Sequence, residues 1–160
     1  RIQLAQDREM LCIETYHSVP SIGYIVYDLR KKLKPEFSSL TPDRLQDLQK
    51  RGEDISYAER VPLIAYLGDS SIEALDRCPD ASAAYILVSE ATYLSDDMSR
   101  EKARAAGHTH LTDLVERLGD LRCEKLVLTH FSTRYEESEI QKLIISRVPE
   151  SFHQRLVIWL

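Results

Sequence analysis

Long apolar runs are missing from this sequence. No stretch of about 18 apolar residues exists, so no membrane-spanning helix is expected. Cysteine is scarce: Cys12, Cys78 and Cys123 are far apart, odd in number, and form no C-x-x-C pair. A disulfide framework is therefore not expected, and a reducing compartment fits better. No signal-peptide pattern opens the chain, and no initiator methionine does either, since residue 1 is Arg1. Excess positive charge is also missing. Lys and Arg number 21 against 26 Asp and Glu, a formal net charge of −5. That argues against a nucleic-acid coat protein. It leaves room for a nuclease, whose phosphate contacts can be local or supplied by metal.

What is present is an ordinary globular composition, 43% hydrophobic and 29% charged over 160 residues. Disorder and low complexity are excluded. The first residues read toward a buried strand. Met10–Tyr16 and Tyr24–Leu29 alternate like strands, and Pro20 and Gly23 between them suggest a hairpin with His17 at its junction. Arg30–Pro35 is a short basic run. Thr41 reads as an N-cap with Pro42 at the first helical position and Gly52 past the end. Leu63–Leu67, Tyr85–Val88 and Leu126–Thr129 are short continuous apolar runs, the pattern of buried strands. Asp97–Ala106 reads as a helix stopped by Gly107. Leu111, Leu114, Val115 and Leu118 give a second helix at i, i+3, i+4, i+7 spacing. Ile140, Leu143 and Ile144 mark another, ended by Pro149, and Leu156–Leu160 closes as a strand. Alternating strands and helices make the class α/β.

Polar residues follow three of the apolar runs: Asp69, Glu90 and His130. Ligands bind at the carboxyl ends of strands in open α/β sheets. Each residue alone has an ordinary reading, as a turn, a loop cap or a solvated histidine. Together with His17, they offer imidazole nitrogen and carboxylate oxygen from separate elements. Borderline divalent metals prefer that donor set. A carboxylate can bridge paired metals, which suit in-line attack at phosphorus.

Several strings then occur in a characteristic order. They are His17-Ser-Val-Pro-Ser-Ile-Gly-Tyr24, Arg30-Lys-Lys-Leu33, Gly68-Asp69-Ser70, Glu90-Ala-Thr92, Gly107-His-Thr-His-Leu111 and Leu128-Thr-His-Phe-Ser-Thr-Arg-Tyr135. In this the chain resembles ribonuclease Z, the tRNA 3′-processing endonuclease of the metallo-β-lactamase superfamily, especially its short form. The resemblance implies an α/β fold that is the C-terminal half of a four-layer αββα sandwich. It implies His17 and His130 as zinc ligands and Asp69 as the bridge between two zinc ions. His108 would protonate the leaving 3′ oxygen, with Glu90 orienting it. Ser132, Thr133, Arg134 and Thr109 would meet the tRNA end or its phosphates. His110 is expected to be a neighbour only, and His153 has no assigned role. The basic run from Arg30 to Lys34 either contacts tRNA or is a solvated surface.

The family's H-x-H-x-D-H motif is absent, and residues 1–16 contain no histidine to replace it. By the resemblance, that motif supplies the remaining histidine ligands and the aspartate that activates the attacking water. Residues 1–160 are therefore expected to be the C-terminal part of one domain whose N-terminal half lies elsewhere, and to be inactive alone. The full-length parent is expected to cut the 3′ trailer from precursor tRNA with two zinc ions, as a homodimer in the cytoplasm, with a nuclear or organellar location also open. Two alternatives stand beside it. One is another metallo-β-lactamase-fold hydrolase, acting on generic phosphodiesters or esters. The other is a metal-free paralogue acting as a binding subunit.

Overall fold

A computed structural model describes residues 1–160. Seven strands form one sheet in simple sequence order: β1 (Ile2–Ala5), β2 (Arg8–Glu14), β3 (Ile22–Leu33), β4 (Ser56–Tyr66), β5 (Ile86–Glu90), β6 (Lys125–Thr129) and β7 (Leu156–Ile158). β1 to β4 are antiparallel neighbours, and β4 to β7 run parallel. Parallel neighbours need crossovers, and helices supply them. Outside the crossovers, α1 (Pro42–Lys50) joins β3 to β4. α2 (Ala74–Arg77) and α3 (Pro79–Ala83) join β4 to β5. α4 (Arg100–Ala106) and α5 (Leu111–Arg117) join β5 to β6. α6 (Glu137–Arg147) and α7 (Glu150–His153) join β6 to β7.

The period of two along each strand sends alternate side chains to opposite faces. On one face Ile25, Tyr27, Ala65, Leu67, Leu87, Leu126 and Leu128 are buried against Leu75, Leu111, Leu114, Ile140, Ile144 and Phe152 of the helical layer. Buried Asp113 pins α4 to α5 by accepting from Arg100 and from Arg104, the latter at 2.7 Å. The other face carries Tyr24, Val26, Ile64, Tyr66, Ile86, Val88, Val127 and Val157 in matched register. No helix covers it: Ile64, Tyr66 and Val157 are exposed. A globular protein of 18.4 kDa exposes about 8,200 Å², whereas this chain exposes 9552 Å². The open face and the exposed ends of β3 and β4 add to that surface.

Several expectations are corrected here. The first residues form β1, an exposed edge strand, because β1 pairs only with β2 and nothing packs on it. The Leu63–Leu67 run closes an eleven-residue strand that ends at Tyr66 and is buried on one face only. β3 also runs past Leu29, carrying the basic run into a ribbon with β4. α4 starts at Arg100, because Ser99 caps it by accepting from the Lys102 amide. Asp97 is thereby left in the preceding loop.

Candidate active site

The parallel strands β4, β5 and β6 deliver Asp69, Glu90 and His130 to one edge of the sheet. β3 is antiparallel to β4, so the β2–β3 connection holding His17 meets the same edge. The G-H-T-H segment approaches from the start of α5. Gly107 makes this possible: it is left-handed (φ 80), and a Cβ there would lie 2.5 Å from His17 Cα. The chain thus brings His17 and His108 rings into edge contact, with centroids 4.9 Å apart. His108 also stacks on His130 at 5.7 Å.

Glu90 is the buried pivot, 2% exposed. Its carboxylate accepts from the Ser70 amide at 2.6 Å, the Thr109 amide at 3.2 Å, the Thr92 hydroxyl, and His108 Nδ1 at 2.9 Å. A carboxylate has about four acceptor sites, and these donors occupy them. His108 is held through Nδ1, which leaves its Nε2 free.

His130 ends β6 with φ 54, the only non-glycine residue with positive φ. Such a conformation costs about 1–3 kcal/mol and collects at functional sites. Its Nε2 lies 3.4 Å from Asp69 Oδ1, and both side chains are nearly half exposed. Asp69 follows Gly68, left-handed at φ 64, and Ser21 Oγ donates to the Asp69 carbonyl at 2.9 Å. His17 Nδ1 accepts from the Val19 amide at 3.2 Å, while its Nε2 is buried without any partner.

Glu90, His108 and His130 offer three ligand atoms within 4.8 Å of one another, a possible partial metal site. The donor chemistry favours a different division. Glu90 is saturated by protein donors, whereas Asp69, His130 Nε2 and His17 Nε2 are not. Imidazole nitrogens and an open carboxylate match a borderline divalent cation, so the residues fit part of a metal site.

The other expected residues separate. Thr109 is 1% exposed; its hydroxyl donates to the Ser70 carbonyl at 2.9 Å and its amide to Glu90. It is buried and braces Glu90. Ser132 and Thr133 line a cavity of about 280 Å³ beside His130, with Phe131 and Trp159. Arg134 donates to Asp97 at 2.8 Å, to Ser132 Oγ at 3.2 Å, and lies over the Tyr93 ring. The Ser95 hydroxyl, and then Arg134, hold the Asp97 carboxyl down at about 2. His110 caps α5 by accepting from the Thr112 amide, as befits a structural neighbour. His153 bonds the Val148 carbonyl, far from the site. In the basic run, Arg30, Lys32 and Lys34 pair with Asp28, Glu59 and Asp54, which mutes their field.

Sequence reasoning missed Ser70, whose amide holds Glu90, and the linking position of Thr92. Both were quoted within motifs, but backbone donors and hydroxyl bridges carry no distinctive spacing.

In structure the chain is similar to a metallo-β-lactamase-fold protein of Bacillus subtilis, at TM-score 0.58 and 15% identity, covering 99% of this chain and 49% of that one. It is also similar to the short form of human tRNase Z, at TM-score 0.50 and 20% identity, covering 97% of this chain and 41% of that one. This is the C-terminal half of a metallo-β-lactamase fold. By sequence, the chain is similar to the chloroplastic tRNase Z of Arabidopsis thaliana, 35% identical over 145 residues, covering 89% of this chain and 41% of the relative. It is 31% identical to a second Arabidopsis tRNase Z, covering 91% of this chain and 53% of that protein. Ribonuclease Z of Pyrobaculum aerophilum is 26% identical, covering 91% and 58%. The ribonuclease Z resemblance thus holds over about nine-tenths of the chain. The chain spans about half the length of these curated relatives. No protein-family model matches it. No helix is long and apolar enough to cross a membrane.

Proposed function

We propose that this chain is the C-terminal part of a ribonuclease Z-type endoribonuclease that removes the 3′ trailer of precursor tRNA. The observation that carries the reading is the convergence of His17, Asp69, Glu90, His108 and His130 on one sheet edge, in a chain whose relatives are named tRNase Z. The uncovered apolar sheet face supports a second half of the domain: two stacked sheets bury such faces against each other. On this reading the missing half brings its own sheet and the remaining ligands, and completes the site.

His17, Asp69 and His130 would hold the metal ions on this side. Bound divalent ions supply Lewis-acid activation and neutralise charge on the scissile phosphate. Zinc suits the nitrogen and carboxylate donors. His108, held through Nδ1, keeps Nε2 to deliver a proton to the departing 3′ oxygen. Glu90 keeps that ring in place through Nδ1. Arg134, held over Tyr93 by Asp97, offers its guanidinium to tRNA phosphates. Ser132 and Thr133 add hydroxyl donors beside His130. A homodimer and a cytoplasmic or organellar setting belong to the same proposal; one relative's chloroplastic name supports the organellar case.

The test is an end-mapped cleavage assay with the full-length protein. Precursor tRNA is expected to be cut once, at the start of the trailer, far faster than a simple phosphodiester. Equal turnover of both substrates would contradict the assignment in favour of a general phosphodiesterase.

A further inference from the structure

Thr92 is buried just beyond β5, 6% exposed, and its hydroxyl is shared among three polar residues. The Oγ1 atom contacts Glu90 Oε2, lies 3.0 Å from both His130 Nδ1 and the His130 carbonyl, and lies 3.4 Å from His108 Nδ1. A hydroxyl has one proton and two lone pairs. The proton goes to Glu90, because a hydrogen bond to a carboxylate is the strongest on offer. A lone pair then faces His130 Nδ1. That nitrogen can satisfy it only by carrying a proton.

We propose that Thr92 is a positioning residue that fixes His130 as its Nδ1–H tautomer and so turns a bare Nε2 toward Asp69. The left-handed backbone of His130 serves the same end, folding its ring and carbonyl onto one hydroxyl. Glu90 therefore orients two histidines: His108 directly, and His130 through Thr92. A histidine that ligates a metal commonly donates its other ring N–H to a fixed acceptor, and losing that acceptor weakens metal binding by about 10–100-fold. The consequence for metal rests on the proposed function. The tautomer does not, and can be read without metal: Asp69 Oδ1 then competes for a proton on Nε2 from 3.4 Å in a half-exposed setting, and the buried Thr92 hydroxyl, closer at 3.0 Å to Nδ1, outweighs it.

The experiment is long-range proton–nitrogen NMR of the ¹⁵N-histidine-labelled, metal-stripped full-length protein at mildly alkaline pH, on wild type, Thr92→Ser and Thr92→Val. Wild type and Thr92→Ser are expected to show His130 protonated at Nδ1. Thr92→Val keeps the shape and removes the hydroxyl; it is expected to show a mixed or reversed tautomer. Zinc affinity is expected to fall about 10–100-fold in Thr92→Val and to be rescued in Thr92→Ser. Protonation at Nε2 in wild type overturns the proposal without recourse to any variant, as does an unchanged Nδ1–H tautomer in a folded Thr92→Val. Failure to cleave tRNA would overturn the functional reading instead and leave the tautomer result standing.

Discussion

Asp69→Ala in the full-length protein is expected to abolish both metal retention and tRNA cleavage while leaving the fold intact. The side chain is 46% exposed and its nearest polar neighbour is His130 Nε2 at 3.4 Å. Nothing in the core depends on it, since Gly68 and the Ser21 contact to its carbonyl set the local backbone. A surface truncation of this kind changes stability by about 0.5 kcal/mol or less. On the proposed reading, the same carboxylate would help hold the metal ions, so its loss removes a ligand. Metal analysis by mass spectrometry, a thermal melt and the cleavage assay check the three parts together. Wild-type cleavage with wild-type metal content would remove Asp69 from the site.

His108→Ala is expected to keep its metal and to cleave about 10²–10⁴-fold more slowly, the range for losing a general acid. The ring is held by Glu90 at 2.9 Å and stacked on His130, but its Nε2 has no protein partner assigned to it. This variant also separates two readings of the cluster. Glu90, His108 and His130 lie within metal-binding reach of one another. If they formed the metal site, His108→Ala would lose metal. The saturation of Glu90 by four donors argues against that arrangement. Retained metal with slowed cleavage is the expected result, and parallel loss of both would reassign His108 as a ligand.

Much of the sheet was legible because its strands are punctuated. Short apolar runs ending in Gly68-Asp69, Glu90 and His130 marked β4, β5 and β6, and helix signals at Thr41, Gly107 and Leu111 marked α1, the end of α4 and α5. The same apolar runs read as buried strands, and the expected second half of the domain leaves one of their faces to be covered by it. A continuous apolar strand reads as covered on both faces, yet Ile64 and Tyr66 point to a face with nothing on it. β1 was expected as a buried strand and lies exposed at the sheet edge, and the short helices α2, α3 and α7 carry too little periodicity to be seen. Within the site, the strand-end residues were legible because chemistry-bearing side chains follow apolar runs. Thr109 was expected among the residues meeting the tRNA end, whereas the structure buries it against Glu90 and Ser70. The bridge from Thr92 to His130 spans 38 positions and leaves no mark in the sequence.

On the proposed reading, these 160 residues hold one part of a metal site and the other part comes from a second half of the domain. Metal stoichiometry tests it most directly, measured on the full-length protein and on this chain alone after stripping and reconstitution with zinc. Full-length protein is expected to retain two tightly bound ions per chain, and the isolated chain no tight pair, because His17, Asp69 and His130 are too few to hold two. Two tightly bound zinc ions in the isolated chain would contradict the account.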